Sequence, residues 1–178
     1  MSSNLHQGQT ILRSGADPQE ADLAVILLHG RGATAESILP LAEALSLGKA
    51  AFLIPQAGLN RWYPNSAFAP IDTNEPDLSM ALELIDSLVA MSLEEGFTHG
   101  QIALGGFSQG ACLALEFAVR NPRKYAGVFA FTGALIGPPD QKREYAGNFD
   151  EMPVFIGGSD VDPWVSHDLL VQSAGVFE

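Results

Sequence analysis

One stretch of this chain is compatible with very few folds. The apolar segment Gln101-Ile102-Ala103-Leu104-Gly105 runs through Gly106-Phe107-Ser108-Gln109-Gly110 into Ala111 to Arg120, whose apolar residues recur at helical spacing until Asn121-Pro122. The first part has the length of a buried strand and the last part the period of a helix. A strand that becomes a helix within about one residue puts that residue in a strained conformation. Gly106 and Gly110 then let strand and helix pass without colliding β-carbons. The spacing predicts strand, sharp turn and helix, with the Ser108 hydroxyl exposed at a helix N-terminus. There the helix dipole and free N–H groups favour a developing oxyanion, with the Gln109 N–H as first donor. Ser108 is the candidate nucleophile.

The rest of the chain alternates in the same way. Strands are expected at Leu23–Leu28, Ala50–Ile54, Gln101–Gly105, Gly127–Thr132 and Pro153–Gly157, and helices at Ala35–Leu45, Asp77–Met91, Gln109–Arg120 and Pro163–Gly175. This order predicts an α/β fold: right-handed crossovers and a mostly parallel sheet with helices on both faces. Two irregular segments, Pro55–Pro76 and Gly133–Met152, follow strands and are expected to lie beside Ser108. Their Trp62, Tyr63, Phe68 and Leu135-Ile136, with Trp164 further on, are candidates for a mainly apolar substrate pocket; the alternative for each aromatic is that it packs its loop onto the sheet.

Leu23-Ala24-Val25-Ile26-Leu27-Leu28 is a continuous apolar run, as a strand buried on both faces requires. It opens into His29-Gly30-Arg31-Gly32, where the Arg31 main-chain N–H is a second candidate oxyanion donor. The Arg31 side chain either binds an acidic or polar part of a substrate or points to solvent. His29 is expected to brace the loop. After the strand at 153–157 come Asp160 and Asp162, at the carboxyl end where catalytic groups of open α/β sheets collect. A carboxylate there would hold an imidazole in its correct tautomer. Asp160 is expected to cap the turn.

Composition excludes several classes. The 178 residues, 47% hydrophobic and 17% charged, suffice for one domain with a sizeable core. A net charge of −12, with nine scattered Lys and Arg, argues against nucleic acid and anionic membrane as partners. No apolar stretch approaches the roughly 20 residues of a membrane span, and residues 1–14 lack the pattern of a signal peptide. The expected location is cytoplasmic. Cys112 is the sole cysteine, which excludes a disulfide framework or zinc site, and it is expected to be a buried small hydrophobe. No metal or cofactor motif is present.

Leu27-Leu28-His29-Gly30-Arg31-Gly32, Gly105 to Gly110, and Gly158-Ser159-Asp160-Val161-Asp162-Pro163-Trp164-Val165 resemble, in order and spacing, the phospholipase/carboxylesterase family of α/β-hydrolases, which includes acyl-protein thioesterases. The resemblance runs from Leu23 to the end. It implies nucleophile Ser108, acid Asp162 and oxyanion donors at the backbones of Arg31 and Gln109. The implied activity is cofactor-free hydrolysis of a small-molecule ester, of small or medium size, through an acyl-enzyme on Ser108. Cleavage of lysophospholipids or acyl thioesters, and a catalytically impaired binding protein, are the alternatives. Gly158-Ser159 stands where the family usually shows His-Gly.

The base is the missing component. In hydrolases of this kind the order is serine, acid, histidine, and His167, the last histidine, follows Asp162 by only five residues. His6 is expected in a loose terminus, His29 in the oxyanion loop and His99 ahead of the Ser108 strand. The expectation is therefore a hydrolase domain lacking its last strand and helix, with roughly 25 to 45 further residues carrying the histidine in the natural chain. The strand left at the sheet edge would tend to pair with a second copy, giving a homodimer.

Overall fold

The two long apolar runs form the centre of a six-stranded sheet. In the computed structural model, which describes residues 4–178, the strands are β1 (Ile11–Gly15), β2 (Leu23–Leu28), β3 (Ala50–Pro55), β4 (Ile102–Phe107), β5 (Gly127–Phe131) and β6 (Val154–Gly157). Their order is β1-β3-β2-β4-β5-β6. All neighbours are parallel except β1, which runs antiparallel to β3.

Helices α1 (Leu39–Leu45), α2 (Asp77–Glu94), α3 (Gln109–Arg120) and α4 (His167–Ala174) complete the fold. On one face Ile26, Leu28, Ile102 and Leu104 pack with Leu78 and Ile85 of α2 and Leu113 and Phe117 of α3. On the other, Val25, Leu27, Phe52 and Ile54 pack under Ala42 of α1. Successive strand residues point to opposite faces, so strands covered on both sides must be apolar throughout. This is why β2 and β3 read as unbroken hydrophobic runs. Helix α3 is buried from Gln109 to Val119, so its periodic pattern is only part of its packing.

Several local expectations change. Helix 35–45 divides into a 3-10 turn at Glu36–Ile38 and α1, with Pro40 in the first turn of α1, where a missing N–H is harmless. Helix 163–175 shrinks to α4, and α2 reaches Glu94. Strand β1 was not expected at all: five half-exposed residues around Arg13 carry little pattern, and pairing of Ile11 with Pro55 through Gly15 with Ala51 creates it. The N-terminal segment is not loose at His6, which is buried against Trp62 with ring centroids 5.6 Å apart. Strand β6 ends the sheet among the described residues, with Phe155 exposed beside Phe131. Among the described residues no helix is long and apolar enough to cross a membrane.

Candidate active site

Ser108 sits between the end of β4 and the start of α3 with φ 53° and ψ −119°, a region that disfavours any side chain. Two near-contacts explain the flanking glycines. A β-carbon on Gly106 would lie 2.5 Å from the Gly110 carbonyl carbon and 2.7 Å from the Leu28 oxygen, and one on Gly110 would collide with the Leu28 and His29 oxygens. The ends of β2 and β4 and the first turn of α3 are thus in backbone contact. The Ser108 N–H donates to the Phe131 carbonyl at 2.9 Å, tying the turn to β5 as well.

The loop after β2 packs on this turn. A β-carbon on Gly30 would stand 3.5 Å from that of Ser108. His29 braces the loop from beneath: Nδ1–H donates to the Gly30 carbonyl at 2.7 Å and Nε2 accepts the Ala57 N–H at 3.1 Å. Burial lowers its pKa, so it stays neutral. Gly32 N–H donates to the Asn60 carbonyl at 2.7 Å, whereas the N–H groups of Arg31 and Gln109 have no acceptor among the described residues. Two free donors therefore flank Ser108, one on the loop packed against it and one on the next residue.

Ser108 opens into a cleft of about 490 Å³ lined by Tyr63, Phe68, Cys112, Trp164, Val165 and Arg31, among others. Three expected pocket residues are elsewhere. Trp62 is fully buried beneath the cleft, where its Nε1–H donates to the His29 carbonyl at 2.8 Å and its ring packs between His6 and His29. Leu135 is buried behind it, its N–H donating to Ser173 Oγ at 2.9 Å, and Ile136 is fully buried too. Segment 133–152 supports the cleft rather than lining it: Gly137 N–H holds the Ala67 carbonyl at 2.7 Å. The Arg31 side chain is exposed, as the solvent reading expects, and its tip is tethered at the cleft. Its Nη1 donates to the Pro64 carbonyl at 2.7 Å and its Nη2 to the Asn65 carbonyl.

Asn74 and the Gln109 side chain, which sequence reasoning missed, shape this wall together with Cys112, which is buried near Ser108 as expected. The buried Asn74 accepts the Asn65 N–H at 2.8 Å and donates to the Ser66 carbonyl at 2.9 Å. Cys112, one turn into α3, faces the cleft with its thiol pushed up to about 11 by burial. The Gln109 side chain accepts the Trp62 N–H at 2.9 Å and donates to the Tyr63 carbonyl at 2.8 Å. Of the two missed, only Gln109 carried a signal, its position beside Ser108, and that signal concerned its backbone.

In the loop after β6, the turn-capping role expected of Asp160 belongs to Asp162. Its Oδ1 accepts the N–H groups of Trp164 at 2.7 Å and Val165 at 2.9 Å, while Asp160 is exposed. These bonds hold the carboxylate by one oxygen and leave Oδ2 without a partner among the described residues. Trp164 itself is 83% exposed on the cleft rim. The histidines are engaged away from Ser108. His6 bonds the Trp62 carbonyl, His99 faces Arg123, and His167 lies on the exposed first turn of α4 beside Asp168. Among the described residues no group of three His, Cys, Asp or Glu could hold a metal ion.

Known proteins resemble this chain in sequence and fold. The phospholipase/carboxylesterase family profile matches residues 10–177. A phospholipase/carboxylesterase of known structure from Dyadobacter fermentans is 43% identical and superposes with a TM-score of 0.89, over 96% of this chain and 81% of that one. Acyl-protein thioesterase 1 of Saccharomyces cerevisiae is 29% identical over 188 residues, spanning 94% of this chain and 82% of the yeast protein. The Cryptococcus neoformans protein of that name is 30% identical over 185 residues, spanning 89% and 77%. With the sheet order, the turn at Ser108 and a profile match over nearly its whole length, this chain belongs to the phospholipase/carboxylesterase family of α/β-hydrolases and is by ancestry a hydrolase of ester or thioester substrates.

Proposed function

We propose that the protein is a serine carboxylesterase acting on small or medium esters through an acyl-enzyme on Ser108. The observation that carries this reading is the pair of free N–H groups, Arg31 and Gln109, flanking a serine that the backbone holds at the mouth of a cleft. Ser108 Oγ attacks the ester carbonyl carbon as its proton passes to a base. The carbonyl oxygen, now an oxyanion, accepts hydrogen bonds from the two backbone donors. Collapse expels the alcohol, which takes the proton, and water then attacks the acyl-enzyme by the same route. Asp162, fixed by two backbone N–H groups, presents Oδ2 to orient an imidazole and stabilise its protonated form. None of the four histidines hydrogen-bonds Ser108 or Asp162 among the described residues. A cleft of about 490 Å³ with apolar walls fits a ligand of modest size. A single buried thiol is compatible with a reducing compartment and supports a cytoplasmic assignment.

Mass spectrometry after incubation with p-nitrophenyl butyrate and free imidazole tests the reading. An acyl adduct on Ser108, absent from Ser108→Ala, is expected. A folded protein that never acquires the adduct would overturn the nucleophile assignment. Acyl thioesterase activity is the second reading, favoured by the two thioesterase relatives. Turnover of thioesters against matched oxygen esters separates the two.

A further inference from the structure

The chain carries 21 acidic and 9 basic residues, so a cation has abundant carboxylates to pair with. Arg13, Arg61 and Arg120 do so, with Glu95, Asp77 and Glu116. Arg31 does not. Its guanidinium bonds only the neutral carbonyls of Pro64 and Asn65, and no carboxylate pairs with it among the described residues. The cleft that it lines contains no acidic residue. Carbonyls fix the position of the planar fork, which is exposed, and leave its charge to solvent rather than to a carboxylate. Of the five N–H donors of a guanidinium, two are engaged here and three remain. The Tyr63 ring, 6.0 Å from the guanidinium carbon, backs the group on its cleft side.

We propose that the Arg31 side chain is an anion subsite, and that the preferred substrates are esters carrying a carboxylate or phosphate a few bonds from the scissile carbonyl. The inference rests on the ester-hydrolase reading of this cleft and adds the substrate class. Because the backbone N–H of Arg31 is a proposed oxyanion donor, its side chain fixes where the anionic group lies relative to the reacting carbon. The fork is already held before ligand arrives, so little side-chain freedom is lost on binding. A neutral ester would fit the apolar wall of Phe68 and Val165 but leave the cation unpaired.

Binding measured by calorimetry on the Ser108→Ala protein tests this without requiring any chemistry. The probes are monomethyl adipate, an anion, dimethyl adipate, its neutral counterpart, and monobutyl phosphate. The anions are expected to bind about tenfold more tightly than the diester at low salt, with the advantage shrinking as salt is raised. The tighter of the two anions identifies carboxylate or phosphate as the recognised group. Adding Arg31→Gln should abolish the preference, and adding Arg31→Lys should keep most of it. Equal binding of anion and diester, no binding of either anion, or a preference that survives Arg31→Gln would overturn the proposal. Failure of Ser108 to acylate in the unmutated protein would instead overturn the esterase reading and leave this result standing.

Discussion

The Gln109 side chain grips both residues of the Trp62-Tyr63 pair, accepting the N–H of the first at 2.9 Å and donating to the carbonyl of the second at 2.8 Å. The residue whose backbone N–H adjoins Ser108 thus also anchors the loop that walls the cleft. Any displacement of that loop is transmitted to the first turn of α3.

Gln109→Ala leaves the buried Trp62 N–H and Tyr63 carbonyl without partners. Two unmade bonds in a dry site cost about 2–4 kcal/mol, measurable as a shift of the urea midpoint. Faster amide exchange at Trp62 and neighbouring residues should accompany it. Unchanged stability and exchange would mean that the loop is held by Asn74 and Arg31 alone.

Ser108 is strained, and its strain is tied to its backbone rather than its hydroxyl. Ser108→Gly should therefore be more stable than Ser108→Ala by about 1 kcal/mol, because relief of a positive φ outweighs glycine's entropy in the unfolded chain. Ser108→Ala should stay within about 0.5 kcal/mol of the parent. Thermal unfolding of the three proteins decides the order.

Gly110→Ala drives a β-carbon into the Leu28 and His29 oxygens, which belong to the backbone and cannot swing aside. A loss of about 3 kcal/mol or more, or failure to fold, is expected. Gly32, unlike the helical Gly110, has a positive φ, 75°, but open space around it, so Gly32→Ala should cost only about 1 kcal/mol. Similar losses at the two sites would show that the backbone yields at Gly110 and that the contact does not govern it.

His6 and His29 sandwich Trp62 as neutral imidazoles: His6 Nδ1 accepts the Gly58 N–H and His29 Nε2 the Ala57 N–H, each at 3.1 Å. Burial lowers both pKa values from the ordinary 6.5. As pH falls through 6.5 the unfolded chain binds protons that the folded chain refuses, so stability falls with falling pH until the folded values are crossed. The slope is at most about 1.4 kcal/mol per pH unit for each histidine. Urea midpoints of the parent, His6→Gln and His29→Gln between pH 7.5 and about 5 test this. A shallower slope in each variant is expected, and parallel curves would refute it.

The chemistry-bearing turn was legible in the sequence because its causes are local. The glycines at 106 and 110, the apolar run of β2 and the period of α3 each follow from sterics or burial within a few residues, and they placed the turn at Ser108 and Gln109 between a strand and a helix, while the spatial order of the strands came only with the fold. What the sequence left open depended on partners far along the chain. Strand β1 exists through β3, and His6 is buried through Trp62, 56 residues away. Trp62 leaves the cleft wall with its Nε1–H on the His29 carbonyl, and the exposed Arg31 is tethered by the Pro64 and Asn65 carbonyls, 33 and 34 residues away. The capping of this turn by Asp162 rather than Asp160 has the same origin, since either aspartate can cap a turn and only the folded path of residues 159–166 selects one. Period and steric exclusion are written in neighbouring residues. Hydrogen bonds that span the fold are decided only when tertiary packing brings donor and acceptor together.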